Sequence, residues 1–181
     1  MLLSVTYKVL SQIVLNRLTT TVNPLIRKEK AGFKKGRGYA NQIFTLWQIM
    51  EQCNEWSSTV YANFIGFTKA FDSVNRPTLW RILGHYGVPD KLVSIITILY
   101  SDYSERVICG KDLTEDFAIW TGVNQGCVFP PLLFSACIDW FMKRATVNVK
   151  RGVTWTLMDN RGDLDFADDT VLLAHRHQDI Q

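Results

Sequence analysis

The residues able to do chemistry fall in four short segments. In Phe166-Ala167-Asp168-Asp169 two adjacent carboxylates stand between apolar strand formers. Paired acids at a turn tip can bind magnesium, a hard ion that takes oxygen ligands and keeps several waters; aspartate is also common turn chemistry. Phe64-Ile65-Gly66-Phe67-Thr68-Lys69-Ala70-Phe71-Asp72-Ser73-Val74 is a strand that breaks toward a helix, leaving a lysine and a carboxylate near the strand end. In Thr121-Gly122-Val123-Asn124-Gln125-Gly126-Cys127 two glycines bracket polar groups just before a helix. Glycine permits close backbone approach to a ligand and a helix N-terminus favours anions, although an ordinary strand-to-helix loop has the same composition. Ala31-Gly32-Phe33-Lys34-Lys35-Gly36-Arg37-Gly38 carries cations on a glycine-interrupted loop. Such a loop suits a triphosphate or a nucleic-acid backbone, and equally a solvated basic surface.

The elements that must position these segments are readable from periodicity. Tyr7, Leu10, Val14 and Leu18 recur at helical spacing, which predicts a helix from Val5 to Thr20 that Asn23-Pro24 ends. Arg27, Lys28 and Lys30 then lead into the basic loop, and a second helix reaching about Trp56 carries Ile43, Trp47 and Met50 on one stripe. Thr59 to Phe67 is rich in β-formers. Asn75 suits a helix cap and Pro77 a first turn, with the helix ending near Gly84 or Gly87. Pro89 opens a further helix with Leu92, Ile95, Ile96, Leu99 and Tyr103 inward. Arg106 to Cys109 and Phe117 to Trp120 read as a hairpin around Gly110-Lys111. Pro130-Pro131 starts a helix carrying Leu133, Cys137, Trp140 and Phe141. Last comes a tight hairpin: Asp163 to Phe166 enters, Ala167-Asp168-Asp169-Thr170 turns, and Val171 to Ala174 leaves. Strands separated by helices, with two hairpins, predict an α/β (α+β) sandwich with a small antiparallel or mixed sheet packed on helices.

Bulk properties bound the function. Of 181 residues, 47% are hydrophobic and 20% charged, which fits one globular domain, or part of a larger one, rather than a disordered chain. A formal net charge of +3 is compatible with a phosphate-rich partner without requiring one. Cys53, Cys109, Cys127 and Cys137 form no CxxC pair and no zinc spacing, so all four read as buried small hydrophobes in a reducing compartment. No apolar run reaches the roughly 18 residues of a membrane span. Met1 to Leu18 is broken by Lys8, Gln12, Asn16 and Arg17, an amphipathic helix rather than a signal peptide. The expected location is intracellular, nuclear or cytoplasmic, with no membrane partner.

The order of the four segments is more specific than any one of them. Gly-Phe-basic-Gly-Arg, a strand ending in Lys69-Ala70-Phe71-Asp72-Ser73-Val74, Thr121-Gly122-Val123-x-Gln125-Gly126-Cys127, and Leu164-Asp165-Phe166-Ala167-Asp168-Asp169 together resemble the serial motifs of reverse transcriptases. The likeness is to non-LTR (LINE-type) retrotransposons; Tyr7 to Ser11, Leu15 to Leu18 and Gln42-Ile43 share it, so it covers nearly the whole chain. The resemblance implies a right-hand polymerase, with residues 1–58 as partial fingers and 59–181 as palm. It implies RNA-templated DNA synthesis on an RNA template and a DNA primer, with dNTP as substrate and two magnesium ions held by three carboxylates. It assigns Asp168, Asp169 and the backbone carbonyl of Phe67 to metal. Phe71 takes the place beneath the incoming sugar, where it would disfavour a 2′-hydroxyl, and core packing is its other reading. Gln125 and Gly126 take the template and nucleotide loop, with loop stabilisation the alternative for Gln125. Arg37, Lys34 and Lys35 take the triphosphate or template contact.

The chain also departs from the family pattern. The family's bridging aspartate falls where this sequence has Gly66. Asp72 cannot easily replace it, because six extended residues span roughly 20 Å; Asp72 is expected to cap a helix or pair with a cation. Losing a ligand shared by both ions should cost several kcal/mol of transition-state stabilisation, roughly 10³-fold or more in rate, leaving one weakly held ion or none. Lys34 stands for a usual arginine, Asn124 for a usual basic residue, and Val128-Phe129-Pro130 for Pro-Leu-Ser, with Pro130 expected to disturb the next helix. The sequence stops soon after the Asp-Asp hairpin, with no thumb or endonuclease segment, so a truncated, catalytically inactive polymerase fragment is expected. A non-enzymatic nucleic-acid-binding remnant or domesticated protein, or a product without molecular role, are the alternatives.

Overall fold

The computed structural model describes residues 5–33, 36, 38–101, 104–123, 128–146, 152–156 and 159–180. In chain order the elements are α1 (Val5–Val22), α2 (Tyr39–Glu55), β1 (Tyr61–Gly66), α3 (Arg76–His85), α4 (Asp90–Ser101), β2 (Ser104–Glu105), β3 (Ile108–Cys109), β4 (Asp112–Leu113), β5 (Phe117–Ala118), α5 (Pro130–Thr146), β6 (Val153–Thr156), β7 (Asp159–Arg161), β8 (Asp163–Phe166) and β9 (Asp169–Ala174). The chain divides into two compact units, Met1–Leu25 with Lys69–Cys137, and Ile26–Thr68 with Ile138–Gln181. Among the described residues no helix is long and apolar enough to cross a membrane.

In the first unit α1 runs to Val22, two residues beyond the expected end. In its last turn the Thr20 and Thr21 hydroxyls donate to the carbonyls of Asn16 and Arg17 at 3.0 and 3.2 Å. Its buried face is Ser11, Val14, Leu18 and Val22, whereas Leu10 is 38% exposed. Asn75 caps α3 as expected, its side chain accepting from the Thr78 N–H at 2.9 Å, and Gly87 follows the helix at φ +75°. The expected role of Asp72 in capping is therefore filled by Asn75; Asp72 lies exposed in the preceding turn. In α4, Leu92, Ile96 and Tyr100 are buried, Ile95 and Leu99 half-buried, and Tyr103 falls outside the described residues. The hairpin expected between Arg106–Cys109 and Phe117–Trp120 has a different register: β3 pairs with β4 around Gly110 at φ +67°, and β5 pairs with β2, ahead of the expected strand. Pro130 is the first residue of α5, where its missing N–H satisfies nothing anyway, so it does not disturb the helix. Arg76, 7% exposed, donates to the carbonyls of Gly122, Ile119, Tyr100 and Thr121 and so anchors the chain ahead of α5.

In the second unit β1, β9 and β8 form an antiparallel sheet in the order β1-β9-β8. An isolated parallel bridge joins Lys30 to Asp165 of β8. Ile49, Cys53, Val153, Leu164 and Leu173 form the unit's core, flanked by Leu46, Val60 and Val171. The stripe noted in α2 is not the buried one: Ile43, Trp47 and Met50 are 63%, 59% and 53% exposed. The helix carries apolar residues on two faces, and Ile49 with Cys53 packs inward. The cysteines also divide. Cys53 is buried, Cys137 half-buried and Cys109 exposed on a hairpin, so burial holds for Cys53 alone, and Cys127 lies outside the described residues.

Candidate metal site at the acidic hairpin

The β8–β9 hairpin turns on two residues, Ala167 and Asp168. Phe166 pairs with Asp169, and Ala167 sits at φ +52°. The turn is thus tighter than the four residues expected from sequence, and Asp169 is a strand residue. Asp169 is exposed and Asp168 half-buried. Across the sheet, the last residue of β1, Gly66, pairs with Asp169. A Cβ built on Gly66 would stand 3.7 Å from Asp169 Oδ1. Phe67 follows directly, with its ring edge-on to Phe141 at 6.4 Å.

A strap from the segment before α2 holds this hairpin from its β8 side. Ala31 N–H donates to the Asp165 carbonyl at 3.0 Å. Gln42 donates to the carbonyls of Glu29 and Asp165 at 2.7 and 3.2 Å. Gly32 lies so close to the turn that a Cβ there would be 2.1 Å from the Ala167 nitrogen, and only glycine tolerates that approach. Lys30 is fully buried, and its Nζ donates to the Ala167 carbonyl at 2.7 Å. Burial pushes the Lys30 pKa down, with Asp165 opposing, Arg27 adding to the fall, and Asp139 and Asp168 opposing.

Beside it lies a buried ion cluster. Arg27 donates to Asp139 at 3.1 Å, Asp163 at 2.7 Å and Asp165 at 2.5 Å, and Lys143 pairs with Asp139 at 2.9 Å. Burial works against the guanidinium charge, but Asp163, Asp165 and Asp139 outweigh it and hold the Arg27 pKa above its ordinary value. Burial lifts the Asp163 carboxyl to about 6 despite the pull of Arg27. Arg27 and Lys30, which precede the basic loop in sequence, are therefore internal counter-charges. The sequence holds a cue to this: Asp163 and Asp165 are two apart and share one strand face, and buried carboxylates require a cation.

Of the other expected site residues, Phe71 is half-buried with its ring stacked on Phe134 at 4.4 Å. Lys34, Lys35, Arg37, Gln125 and Gly126 lie outside the described residues. Gly122 does make a close approach, but to the chain itself: at φ +83°, a Cβ there would be 2.8 Å from Asp72 Cα.

Among the described residues no group of three or more His, Cys, Asp or Glu is placed to hold a metal. Asp139, Asp163 and Asp165 are tied to Arg27. Asp168 and Asp169 stand at the hairpin tip, across from the end of β1. They do not fit a pair of ions, because the residue facing Asp169 is a glycine.

The model of the family "Reverse transcriptase (RNA-dependent DNA polymerase)" matches residues 1–181. The chain is 30% identical over 112 residues to a Pol polyprotein of the type-1 retrotransposable element R2 of Popillia japonica, covering 62% of this chain and 18% of that protein. It is 25% identical over 185 residues to a 149 kDa protein of transposon TX1 of Xenopus laevis, covering 99% and 14%. It is 24% identical over 178 residues to the R2DM Pol polyprotein of Drosophila melanogaster, covering 98% and 16%. The chain thus spans less than a fifth of these relatives' length. In structure it is similar to telomerase from Candida albicans, with TM-score 0.62 at 8% identity over 93% of this chain and 30% of that one. Telomerase from Candida tropicalis gives 0.56 at 13% identity, over 96% and 34%. These neighbours share the polymerase palm fold, and with its R2 and TX1 relatives the chain belongs to the reverse transcriptase (RNA-dependent DNA polymerase) family.

Proposed function

We propose that this chain is a reverse transcriptase domain of non-LTR type that does not itself carry out processive RNA-templated DNA synthesis. The observation behind this is Gly66, paired in register with Asp169 where the family motif has its bridging aspartate. Reverse transcriptases generally use magnesium and bind an RNA template. Phosphoryl transfer asks a protein mainly for positioning and charge compensation, so a missing carboxylate at this point removes most of what the site supplies.

In this reading residues 1–58 correspond to fingers and 59–181 to palm. Asp168, Asp169 and the Phe67 carbonyl retain a single weak ion site. Arg37, Lys34 and Lys35 meet phosphate; Gln125 and Gly126 meet template and nucleotide; Phe71 lies under the sugar. The partners are RNA template, DNA primer and dNTP, and the compartment is nuclear or cytoplasmic. Primer extension on an RNA template with magnesium tests the reading: no product beyond the primer is expected, and processive synthesis by the native chain would contradict it.

A further inference from the structure

We propose that Lys30 is a positioning residue of the acidic hairpin: its buried ammonium holds the Ala167 carbonyl and sets a positive charge in the field of Asp168, so that the turn takes divalent cations less well than it would with a neutral donor there. This rests on the reading of Asp168 and Asp169 as the hairpin carboxylates of the polymerase site.

A fully buried lysine is rare, because both its charge and its flexible stem are costly to bury. A hydrogen bond to a carbonyl does not need a charge; Gln42 serves the neighbouring Asp165 and Glu29 carbonyls as a neutral donor. Lys30 instead brings a charge, and the surroundings account for it. Asp139, Asp163 and Asp165 gather around Arg27, with Lys143 on Asp139, and Lys30 is buried beside this cluster. Lys30 lies within the field of Asp165, Asp139 and Asp168 together. Its donor reaches the carbonyl of Ala167, the residue at φ +52° on which the turn is built. The same ammonium that orients the turn therefore repels a divalent ion approaching it.

The test is manganese binding by the full chain, followed by electron paramagnetic resonance, with thermal melts to establish folding. Lys30→Arg keeps the charge, Lys30→Gln keeps a donor without the charge, and Lys30→Met removes both. The native chain and Lys30→Arg are expected to bind manganese equally weakly. Lys30→Gln is expected to bind roughly tenfold or more tightly, since a unit charge close to the ion is gone. That gain should vanish when Asp168→Asn and Asp169→Asn are added. A purely structural lysine gives the opposite sign, a loosened turn and weaker binding, and affinity in Lys30→Gln at or below native overturns the proposal. A gain that survives Asp168→Asn with Asp169→Asn overturns instead the assignment of the hairpin as the ion site. Where the uncharged variants fail to fold, the native chain still decides. Magnesium should leave the NMR resonance of the Lys30 ammonium, protected by Ala167, in place; its displacement would overturn the proposal.

Discussion

Gly66 has an ordinary extended backbone and open space around its missing side chain, with Asp169 Oδ1 as the nearest neighbour at 3.7 Å. A Cβ at position 66 therefore meets only ordinary contact, and Gly66→Asp sets two carboxylates across one strand pair. Magnesium should then raise the thermal midpoint of Gly66→Asp well above the small rise expected for the native chain. Ligand linkage gives about 2.7 kcal/mol when the ion stands at about 100 times its Kd. Equal magnesium responses in the two proteins would show that the facing position does not complete an ion site. Gly32 is the contrary case, since a Cβ there meets backbone nitrogen at 2.1 Å. Gly32→Ala should cost about 1–3 kcal/mol or more in urea unfolding, the range of overpacked sites. An unchanged midpoint would mean that the strap does not hold the turn. Motif order in the sequence singled out Gly66 before its pairing with Asp169 was known. The roles of Lys30 and Arg27 were not legible there, because a lone cation in a basic run looks solvated until the groups it faces, more than a hundred positions away, are known.

At the scale of elements, apolar alternation located the β8–β9 hairpin, and the Asn75 and Pro77 cap chemistry located α3. Periodicity did not identify which face of α2 is buried, because the helix has two apolar stripes and only the sheet's choice of Ile49 and Cys53 separates them. The buried cluster that joins the Arg27 segment to α5 and β8 has its own signature. Asp163 rises from 3.8 to about 6 on folding. Between those values the folded chain holds a proton that the unfolded chain releases, so the stabilisation from protonated Asp163 is complete below about pH 4. It is lost as pH rises through about 6, at most about 3 kcal/mol by linkage. Asp163→Asn should remove this decline, and thermal midpoints of the two proteins between pH 4 and 7 should diverge accordingly. Parallel profiles would mean that Asp163 titrates as an ordinary acid.

For the whole molecule, composition and charge left the function open, and the serial order of short motifs across nearly the full chain carried the family. The two compact units each draw on separated stretches of sequence, an arrangement that no local pattern encodes, since long-range contacts between those stretches decide it. The proposed inactivity rests on one position, a glycine facing the second hairpin aspartate being enough to stop nucleotidyl transfer. The decisive measurement is made in a full-length R2 relative, replacing with glycine the aspartate at the position matching Gly66 and measuring kcat for extension of a DNA primer on RNA. A fall of roughly 10³-fold or more is expected, with RNA binding retained; a fall of less than about tenfold would contradict it.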